Sequence, residues 1–347
     1  MDDPAKPHPF PGSLAWGTVC GLVAAVGYSA ANGFLRAVAH CDPVWVSAVK
    51  SVPTVLLTLP FLVLRYRRRQ PVFPEKRVLL ALILAALAGQ LFGNVIFQWS
   101  LGVVGLALSV PLSLVTQIGG SAILGRVFLH ESLTRRMIVG VLLLFAATCV
   151  LSLGAEEASR AVIRQWTTDS LSGWQLGAGL AGVCLSGLAY ASLGVVIRRG
   201  VTQTVSVSST LFLVCVAGTV SLGALSPLRI GWQGMVGTSR HDLLQMLAAG
   251  LCNTVAFYAL TKALQSTPVL YVNALGATQA TLAAISGVLI FDEAPSITLA
   301  AGVVLSIAGI LSMSSSRRAG AAAPPGDQRS DPAIGEVSPV PITLSER

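Results

Sequence analysis

Amide side chains occur at helical spacing inside apolar segments of this chain. Gln90, Asn94 and Gln98 stand four residues apart, so on an α-helix they would form one stripe. A polar side chain in a membrane-spanning helix costs free energy against lipid, and it should therefore face neighbouring helices or a hydrated cavity. We predict that this stripe lines a cavity, with hydrogen bonding between helices as the alternative.

Other apolar segments also carry polar residues on one face. Tyr28 and Asn32 are four residues apart, and Thr254, Tyr258 and Lys262 repeat this spacing later in the chain. For a single Ser or Thr, an interhelical hydrogen bond worth roughly 0.6 kcal/mol is the simpler explanation. The residues predicted to contact a substrate are Tyr28, Asn32, Lys50, Asn94, Gln98, Gln117, Tyr190, Asn253, Tyr258, Asn273 and Gln279.

Lys50 differs from the other predicted site residues because it is cationic and lies about eight positions into an apolar segment. Its long side chain could extend to the membrane interface, a structural explanation that requires no function. The functional interpretation is a cationic site for an anionic or carboxylate substrate.

Carboxylates are missing from the centres of the apolar segments. A permanent cation in a low-dielectric cavity needs an opposing charge, because isolated burial is costly. We therefore predict a neutral, zwitterionic or anionic substrate and no carboxylate-based proton antiport. The acids nearest to the segments stand at their edges, at Asp42, Glu75, Glu131, Asp242, Asp292 and Glu293.

Motifs of catalysis are also missing from these segments. None contains a His–Glu metal motif, an Asp pair or a Ser–His dyad, and the chain has no Walker motif. The six cysteines form no CxxC pair, which favours a role as small buried hydrophobic residues. We predict that the protein is not an enzyme and has no metal site and no cofactor.

The composition indicates a membrane protein. Hydrophobic residues make up 53% of the 347 residues and charged residues only 11%, against roughly 25% in soluble proteins. A chain so poor in charge cannot cover a globule with polar side chains, so it must face lipid. The formal net charge of +8 fits basic cytoplasmic loops better than nucleic-acid binding, which we do not expect.

Ten apolar segments are long enough to cross a bilayer, which predicts an all-α membrane protein with ten transmembrane helices. We expect disordered tails at 1–13 and 316–347, two five-helix units at 14–154 and 174–315, and an extracytoplasmic connector at 155–173. The predicted segments are 14–39, 43–64, 78–99, 104–128, 134–154, 174–198, 203–226, 242–264, 268–291 and 295–315.

Basic residues follow the even-numbered segments, whereas the segment that ends before Asp292 and Glu293 is followed by acids. Because short cytoplasmic loops are enriched in Lys and Arg, this pattern predicts that both termini are cytoplasmic. We expect the plasma membrane, the inner membrane in bacteria, as the location. The basic clusters lie at 65–77, 135–136, 198–199 and 317–318.

The second half of the chain repeats the first. VTQIGGSAILGRVFLHE ends at Glu131 and ATQATLAAISGVLIFDE ends at Glu293, and the two match without gaps at a spacing of 162 residues (293 − 131). Thr116 then pairs with Thr278. Since each half has five helices, the second half is predicted to be inverted in the membrane, a plan common among alternating-access transporters.

The segments FLHESLTRRMIVGVLLLFAATCVLSLG and IFDEAPSITLAAGVVLSIAGILS resemble the end of each EamA repeat of the drug/metabolite transporter superfamily. AFYALTKALQSTPVLYVNAL resembles the junction of helices 8 and 9 in that family. The resemblance implies a ten-helix carrier with a central cavity formed mainly by helices 1, 3, 4, 6, 8 and 9. Many EamA repeats have a proline where this chain has Ile118 and Ala280, which argues against choosing a substrate by subfamily.

We therefore expect a secondary transporter that moves a small polar metabolite across the lipid bilayer by alternating access. A flippase for a lipid-linked sugar or a lipid is the alternative, and a lipid-facing polar groove would favour it. The sequence leaves open the substrate, the direction, the driving ion and whether the protein is a monomer or a homodimer.

The predicted topology can be tested by cysteine labelling in a background that lacks the six native cysteines. Single cysteines in the 65–77 loop and the 292–293 turn should react with an impermeant maleimide from opposite sides of the membrane. Reaction of both from the same side would contradict the inverted repeat.

Overall fold

The computed structural model describes residues 14–130, 135–154, 173–203, 206–279, 281–282 and 297–314. Within these ranges the secondary structure is helical. The predicted tails, the predicted connector after residue 154, and the acids Glu131, Asp292 and Glu293 lie outside the described residues. The helices are α1 Leu14–Ala37, α2 Pro43–Arg67, α3 Lys76–Val104, α4 Leu106–Leu129, α5 Arg135–Gly154, α6 Gly173–Gln203, α7 Val207–Val236, α8 Arg240–Ser266, α9 Val269–Gly276 and α10 Ile297–Ser314.

Seven of the described helices are long and apolar enough to cross a membrane. They are α1, α2, α3, α6, α7, α8 and, within α4, Leu112–Leu129. In α5 and α10 the apolar stretches are shorter, at Ile138–Ala147 and Ala300–Gly309. The ninth predicted span, 268–291, lies partly outside the described residues. All-helical architecture is thus confirmed, and seven spans are found among the described residues.

Polar caps fix where helices begin. Asp42 accepts hydrogen bonds from the backbone N–H groups of Val44 and Trp45 at 2.9 and 3.2 Å, and Pro43 occupies the first turn. Both features favour a helix start, because the first N–H groups have no partner within the helix. Ser239 caps α8 in the same way by accepting from the N–H of Asp242 at 3.0 Å. These two caps fix the first residues of α2 and α8, two helices that carry cavity residues.

Two helices depart from regular α geometry. In α3, Gly89–Val95 is π-helical, between α-helical segments at Lys76–Ala88 and Ile96–Val104. A π-helical turn inside an α-helix is rare and is often found at functional sites. In α7, Gly231 has φ 69° and ψ 167°, which breaks the helix there. Glycine tolerates that conformation because it has no Cβ.

The two halves pack through equivalent helices. The first helix of each half contacts the third helix of the other, so α1 packs on α8 and α6 packs on α3. The first helix of each half also contacts the fourth helix of the other, in the pairs α1–α9 and α6–α4. Second helices pair with each other, as α2 and α7, and fifth helices pair as α5 and α10. Exchanging the halves therefore preserves the contacts, as two-fold pseudo-symmetry requires.

Large apolar side chains cover the outside of the bundle. Val23 and Val26 on α1, Phe61 on α2 and Leu84 on α3 are all more than two-fifths exposed. An apolar surface of this extent suits a protein surrounded by lipid and not by water. The polar side chains of the spanning helices are therefore expected to lie inside the bundle.

Gly250 lets α8 approach α2 closely at the position of Lys50. A Cβ built on Gly250 would lie 2.5 Å from the carbonyl oxygen of Lys50 and 2.8 Å from the ring of Pro53. Since one contact is to backbone, a larger residue can be accepted only if a helix shifts. Small residues at helix crossings of this kind are typical of membrane bundles.

Replacing Gly250 by Ala should destabilise the protein by about 1–3 kcal/mol through overpacking. The matched control is Gly33→Ala, also in a helix, where a Cβ would meet no atom within 4 Å. In detergent, the apparent melting temperature should fall for Gly250→Ala and stay level or rise for Gly33→Ala. Equal melting temperatures for the two variants would contradict the close packing of α2 and α8.

Candidate functional site

A central cavity lies between the helices of the two halves. Its lining comes from α1, α2, α3 and α4 of the first half and from α6, α7, α8 and α9 of the second. The resemblance implied helices 1, 3, 4, 6, 8 and 9, and the structure adds α2 and α7. The empty space among the lining side chains is about 1280 Å³, including the part that opens to the outside. A cavity between the helices of a bundle is a common place for a small-molecule site.

Nine of the eleven predicted site residues line this cavity. Gln98 and Tyr258 do not. Tyr258 is 47% exposed and lies on the outer face of α8. Gln98 is buried, and its Nε2 donates to the carbonyl oxygen of Leu35 at 3.2 Å, so it joins α3 to α1. The lining residues among those predicted are Tyr28, Asn32, Lys50, Asn94, Gln117, Tyr190, Asn253, Asn273 and Gln279.

Helix geometry explains why Gln98 leaves the stripe. The step from Gln90 to Asn94 lies within the π-helical turn Gly89–Val95, and the step from Asn94 to Gln98 leads into regular α-helix at Ile96. The two steps therefore rotate by different amounts, and the single stripe assumed from α-helical spacing is not kept. Phe97 lies on the cavity face of α3 in place of Gln98. Its ring meets that of Tyr190 edge to face, at 6.4 Å between centroids.

Asn94 is the centre of a hydrogen-bond network inside the cavity. Its Oδ1 accepts from Lys50 Nζ at 2.8 Å and from Tyr190 OH at 3.0 Å. Its Nδ2 donates to Gln90 Oε1 at 2.7 Å, and Gln90 Nε2 donates to the carbonyl oxygen of Val214 at 3.1 Å. The network joins α2, α3, α6 and α7, and it therefore spans both halves.

Lys50 does not extend to the membrane interface. Only 6% of its surface is exposed, and its ammonium group reaches Asn94 inside the cavity. The Gly250 contact described above holds its backbone against α8. The structural explanation offered for Lys50 from sequence is therefore wrong, and the residue belongs to the cavity.

A second network crosses between the halves on α4 and α9. Gln117 Nε2 donates to Asn273 Oδ1 at 3.1 Å, and Asn273 Nδ2 donates to the hydroxyl oxygen of Ser121. Asn32 Nδ2 lies 3.4 Å from Gln279 Oε1, which links α1 to the residues that follow α9. These side chains therefore form hydrogen bonds between α1, α4 and the region of α9.

Equivalent positions of the two repeats line the cavity. Tyr28 and Tyr190 have the same spacing along the chain as Thr116 and Thr278, and so do Gln117 and Gln279. Leu35 pairs with Ile197 in the same register. When the spacing between the repeats is changed by one or two residues, positions of α2 match positions of α7, and positions of α3 match positions of α8. The equivalent lining pairs include Val110 with Val272, Leu114 with Gly276, Gln90 with Asn253, Asn94 with Phe257, Phe97 with Leu260, Lys50 with Val214, and Ser51 with Cys215.

The equivalent positions differ in polarity. Lys50 and Asn94 of the first repeat correspond to Val214 and Phe257 of the second. Lys50 lies nearer to the end of the bundle that carries the α1–α2 turn, because Asp42 caps α2 eight residues before it. At these two positions the first repeat thus carries a cation and an amide where the second repeat carries apolar side chains.

Lys50 is the one charged side chain among the described residues that line the cavity. The remaining polar lining groups are amides, hydroxyls, phenols and a thiol. In a water-poor interior, an ammonium group attracts anions far more strongly than it does in bulk water. The described cavity therefore has a net positive charge.

Sequence reasoning assigned no substrate role to Gln90, Ser51, Phe97, Cys215 or Phe257. Gln90 belonged to the predicted stripe, and that spacing was a usable signal. The others have no such signal, because Phe and Cys in an apolar segment look like any packing residue. Their place in the cavity follows from tertiary contacts alone.

One group of described residues at the end of the bundle could hold a metal ion. The ligand atoms of His40, Cys41 and Asp242 lie within 4.8 Å of one another. Asp242 already has partners, since Ser239 Oγ donates to it at 2.7 Å and His40 Nε2 lies 3.5 Å away. Beside this group, Arg229 and Asp42 form an ion pair at 3.3 Å. The cluster connects the α1–α2 turn to the start of α8, away from the cavity lining.

Comparison with known proteins agrees with this architecture. The model of the EamA-like transporter family matches the chain twice, at residues 15–153 and 177–315. A solved crystal structure of a protein superposes with a TM-score of 0.65 and 17% sequence identity, covering 88% of this chain and 99% of that chain. At this identity the likeness shows the fold alone. No curated protein matches the chain.

The family resemblance predicted from the two helix-pair signatures is therefore confirmed. The two matched regions contain the two sets of helices that surround the cavity. With membrane-spanning helices in both matched regions, this chain belongs to the EamA-like transporter family and is an integral membrane protein.

Proposed function

We propose that the protein is a secondary transporter that carries a small polar metabolite through the central cavity by alternating access. The observation that carries this proposal is the cavity itself, enclosed by both repeats and lined with amide and phenol groups. Binding at the interface of two repeats is the usual arrangement in transporters built from inverted repeats. Family membership supports transport, and the site supports a polar solute.

The pseudo-symmetric lining supports alternating access. If the repeats exchange conformations, each equivalent pair exchanges its environment while the solute stays between them. Tyr28 and Tyr190, and Gln117 with Gln279, are the identical pairs that could keep contact in both states. Only the surrounding helix ends would then open or close.

The position of the polar side chains favours a solute carrier over a lipid flippase. Tyr28, Asn32 and Gln117 are half-buried, and Lys50 and Gln279 are buried. None of the polar lining side chains in the described structure is exposed on the outer face of the bundle. A flippase needs a polar groove that is open sideways to lipid, and the described helices present large apolar side chains there.

The proposed orientation has both termini in the cytoplasm of a plasma-membrane protein, and the basic even-numbered loops support it. No carboxylate lines the described cavity, which supports uniport or exchange over carboxylate-based proton antiport.

The direct test is solute counterflow in proteoliposomes, with amino acids, sugars and organic acids as the panel. The proposal predicts saturable, protein-dependent accumulation of a labelled solute against its unlabelled form. The same assay should be run with and without a pH gradient while the membrane potential is clamped. Strong uphill accumulation of an organic cation driven by the proton gradient would contradict the proposal.

Replacing Asn94 by Leu should lower transport by at least about tenfold, because it removes the acceptor of Lys50 and Tyr190. Transport rates should be normalised to protein incorporated in the liposomes, and thermal stability should be measured in parallel. An unfolded variant would instead indicate that Asn94 holds the helices together, as interhelical hydrogen bonds do.

Tyr190→Phe should raise the half-saturation concentration several-fold while leaving the melting temperature nearly unchanged, since it removes one hydroxyl and keeps the ring contact with Phe97. The matched control is Ser192→Ala on the same helix, whose exposed hydroxyl donates only to its own backbone at Leu188. The half-saturation concentration of both variants is measured by counterflow. Equal kinetics for the two variants would show that the Tyr190 hydroxyl does not contribute to substrate binding.

A further inference from the structure

The ammonium group of Lys50 has hydrogen-bonding capacity that the described protein does not use. An ammonium group has three N–H donors. The described contacts give it one acceptor, Asn94 Oδ1 at 2.8 Å. Since Asn94 Oδ1 also accepts from Tyr190, both lone pairs of that oxygen are engaged. The remaining N–H groups of Lys50 face a cavity that can supply other acceptors.

No described group that faces Lys50 carries a negative charge. Asn94 and Gln90 approach it from α3, and Cys215 lies near it on α7. Tyr190 on α6 approaches through the shared oxygen of Asn94, and Tyr28 on α1 lies across the cavity. On α8, Gly250 packs against the backbone of Lys50, and the cavity-lining residues Asn253 and Phe257 are uncharged. A buried charge of this kind is costly unless it is paired, so a bound anion would lower its free energy.

Part of the lining beyond Lys50 is apolar. Val214, Phe257 and Leu264 of the second repeat and Ala24 and Ala25 on α1 contribute apolar surface. A doubly charged solute would find one cation and no second charged partner among the described lining residues. A solute with one acidic group and a mainly apolar remainder matches both parts of the lining.

We infer that Lys50 and the amide cluster around Asn94 form the anion subsite of the carrier, and that its substrates are organic monocarboxylates with an apolar remainder. This inference rests on the proposed transport function and narrows its substrate class. The carboxylate accepts hydrogen bonds from the free N–H groups of Lys50, while Asn94 keeps the ammonium in place. The apolar remainder extends towards Val214 and Phe257.

The same geometry disfavours zwitterions such as amino acids. An α-ammonium group beside the carboxylate needs an anionic or strongly polar acceptor within a few ångströms. Among the described lining residues the available acceptors are amide and phenol oxygens, and several are already bonded. A second cation close to Lys50 would also meet like-charge repulsion. Amino acids should therefore bind more weakly than the corresponding deaminated acids.

Two matched probe series at neutral pH separate these possibilities. The aromatic series is hydrocinnamate, its amide, phenylalanine and phenethylamine, and the aliphatic series is isocaproate, its amide, leucine and isoamylamine. Within a series the scaffold is constant and the charge is anionic, neutral, zwitterionic or cationic. Binding to the purified full-length protein is measured by thermal stabilisation and by calorimetry.

We expect at least one of the two anions to bind, and to bind at least tenfold more tightly than its neutral, zwitterionic and cationic partners. Replacement of Lys50 by Met should weaken binding of that anion roughly 30-fold or more, as expected for loss of a buried hydrogen-bonded charge. Lys50→Arg should retain the charge and part of the affinity. The matched control Lys262→Met removes a lysine of α8 that does not line the cavity, and it should leave affinity unchanged.

Folding of each variant is checked by its melting temperature, and Lys50→Met should fold because it removes a buried charge and keeps the side-chain length. Failure of both anions to bind, or tighter binding of an amide or amine, overturns the inference. Equal anion affinity in Lys50→Met also overturns it.

Counterflow with the same probes and with a panel of sugars distinguishes this failure from failure of the proposed function. Saturable transport of a sugar or a neutral amide without transport of the anions leaves the carrier function standing and removes the anion subsite. Absence of saturable transport for every solute contradicts both.

Discussion

The hydrogen bond from Lys50 to Asn94 places an ammonium group where lipid and packed side chains would otherwise exclude charge. Several features of the bundle depend on that placement. The close contact between Gly250 and the backbone of Lys50 fixes α2 against α8, and the second acceptor function of Asn94 brings Tyr190 of the other repeat to the same point. The Lys50–Asn94 pair thus carries the charge of the cavity, takes part in the packing of α2 on α8, and contacts the other repeat.

Much of this architecture was predictable from sequence. Apolar segment lengths indicate spans because hydrocarbon thickness fixes how long a helix must be. The polar residues predicted within apolar segments include nine that line the cavity, since the cost of exposing a polar side chain to lipid leaves few faces available to it. The gapless repeat also gave the register that pairs Tyr28 with Tyr190 across the cavity.

The errors have equally specific causes. Gln98 was assigned to the cavity from α-helical spacing, but the π-helical turn in α3 changes that register, and no residue type signals such a turn. Lys50 was predicted to contact a substrate, with extension to the interface as the alternative. Sequence alone could not decide between the two, because the direction of the side chain depends on the rotation of α2 against α7 and α8. Phe97 and Phe257 were missed because an aromatic side chain in an apolar segment carries no mark of facing a cavity.

The pairing of Lys50 with Val214 has a consequence for energetics. In a carrier with identical repeats, the two open states would be related by the two-fold axis in the membrane plane and would bind a solute equally well. Here exchange of the repeat conformations cannot exchange the cation for the aliphatic side chain. Under the proposed mechanism the two open states would then differ in free energy and in affinity, so the half-saturation concentrations at the two membrane faces would be unequal.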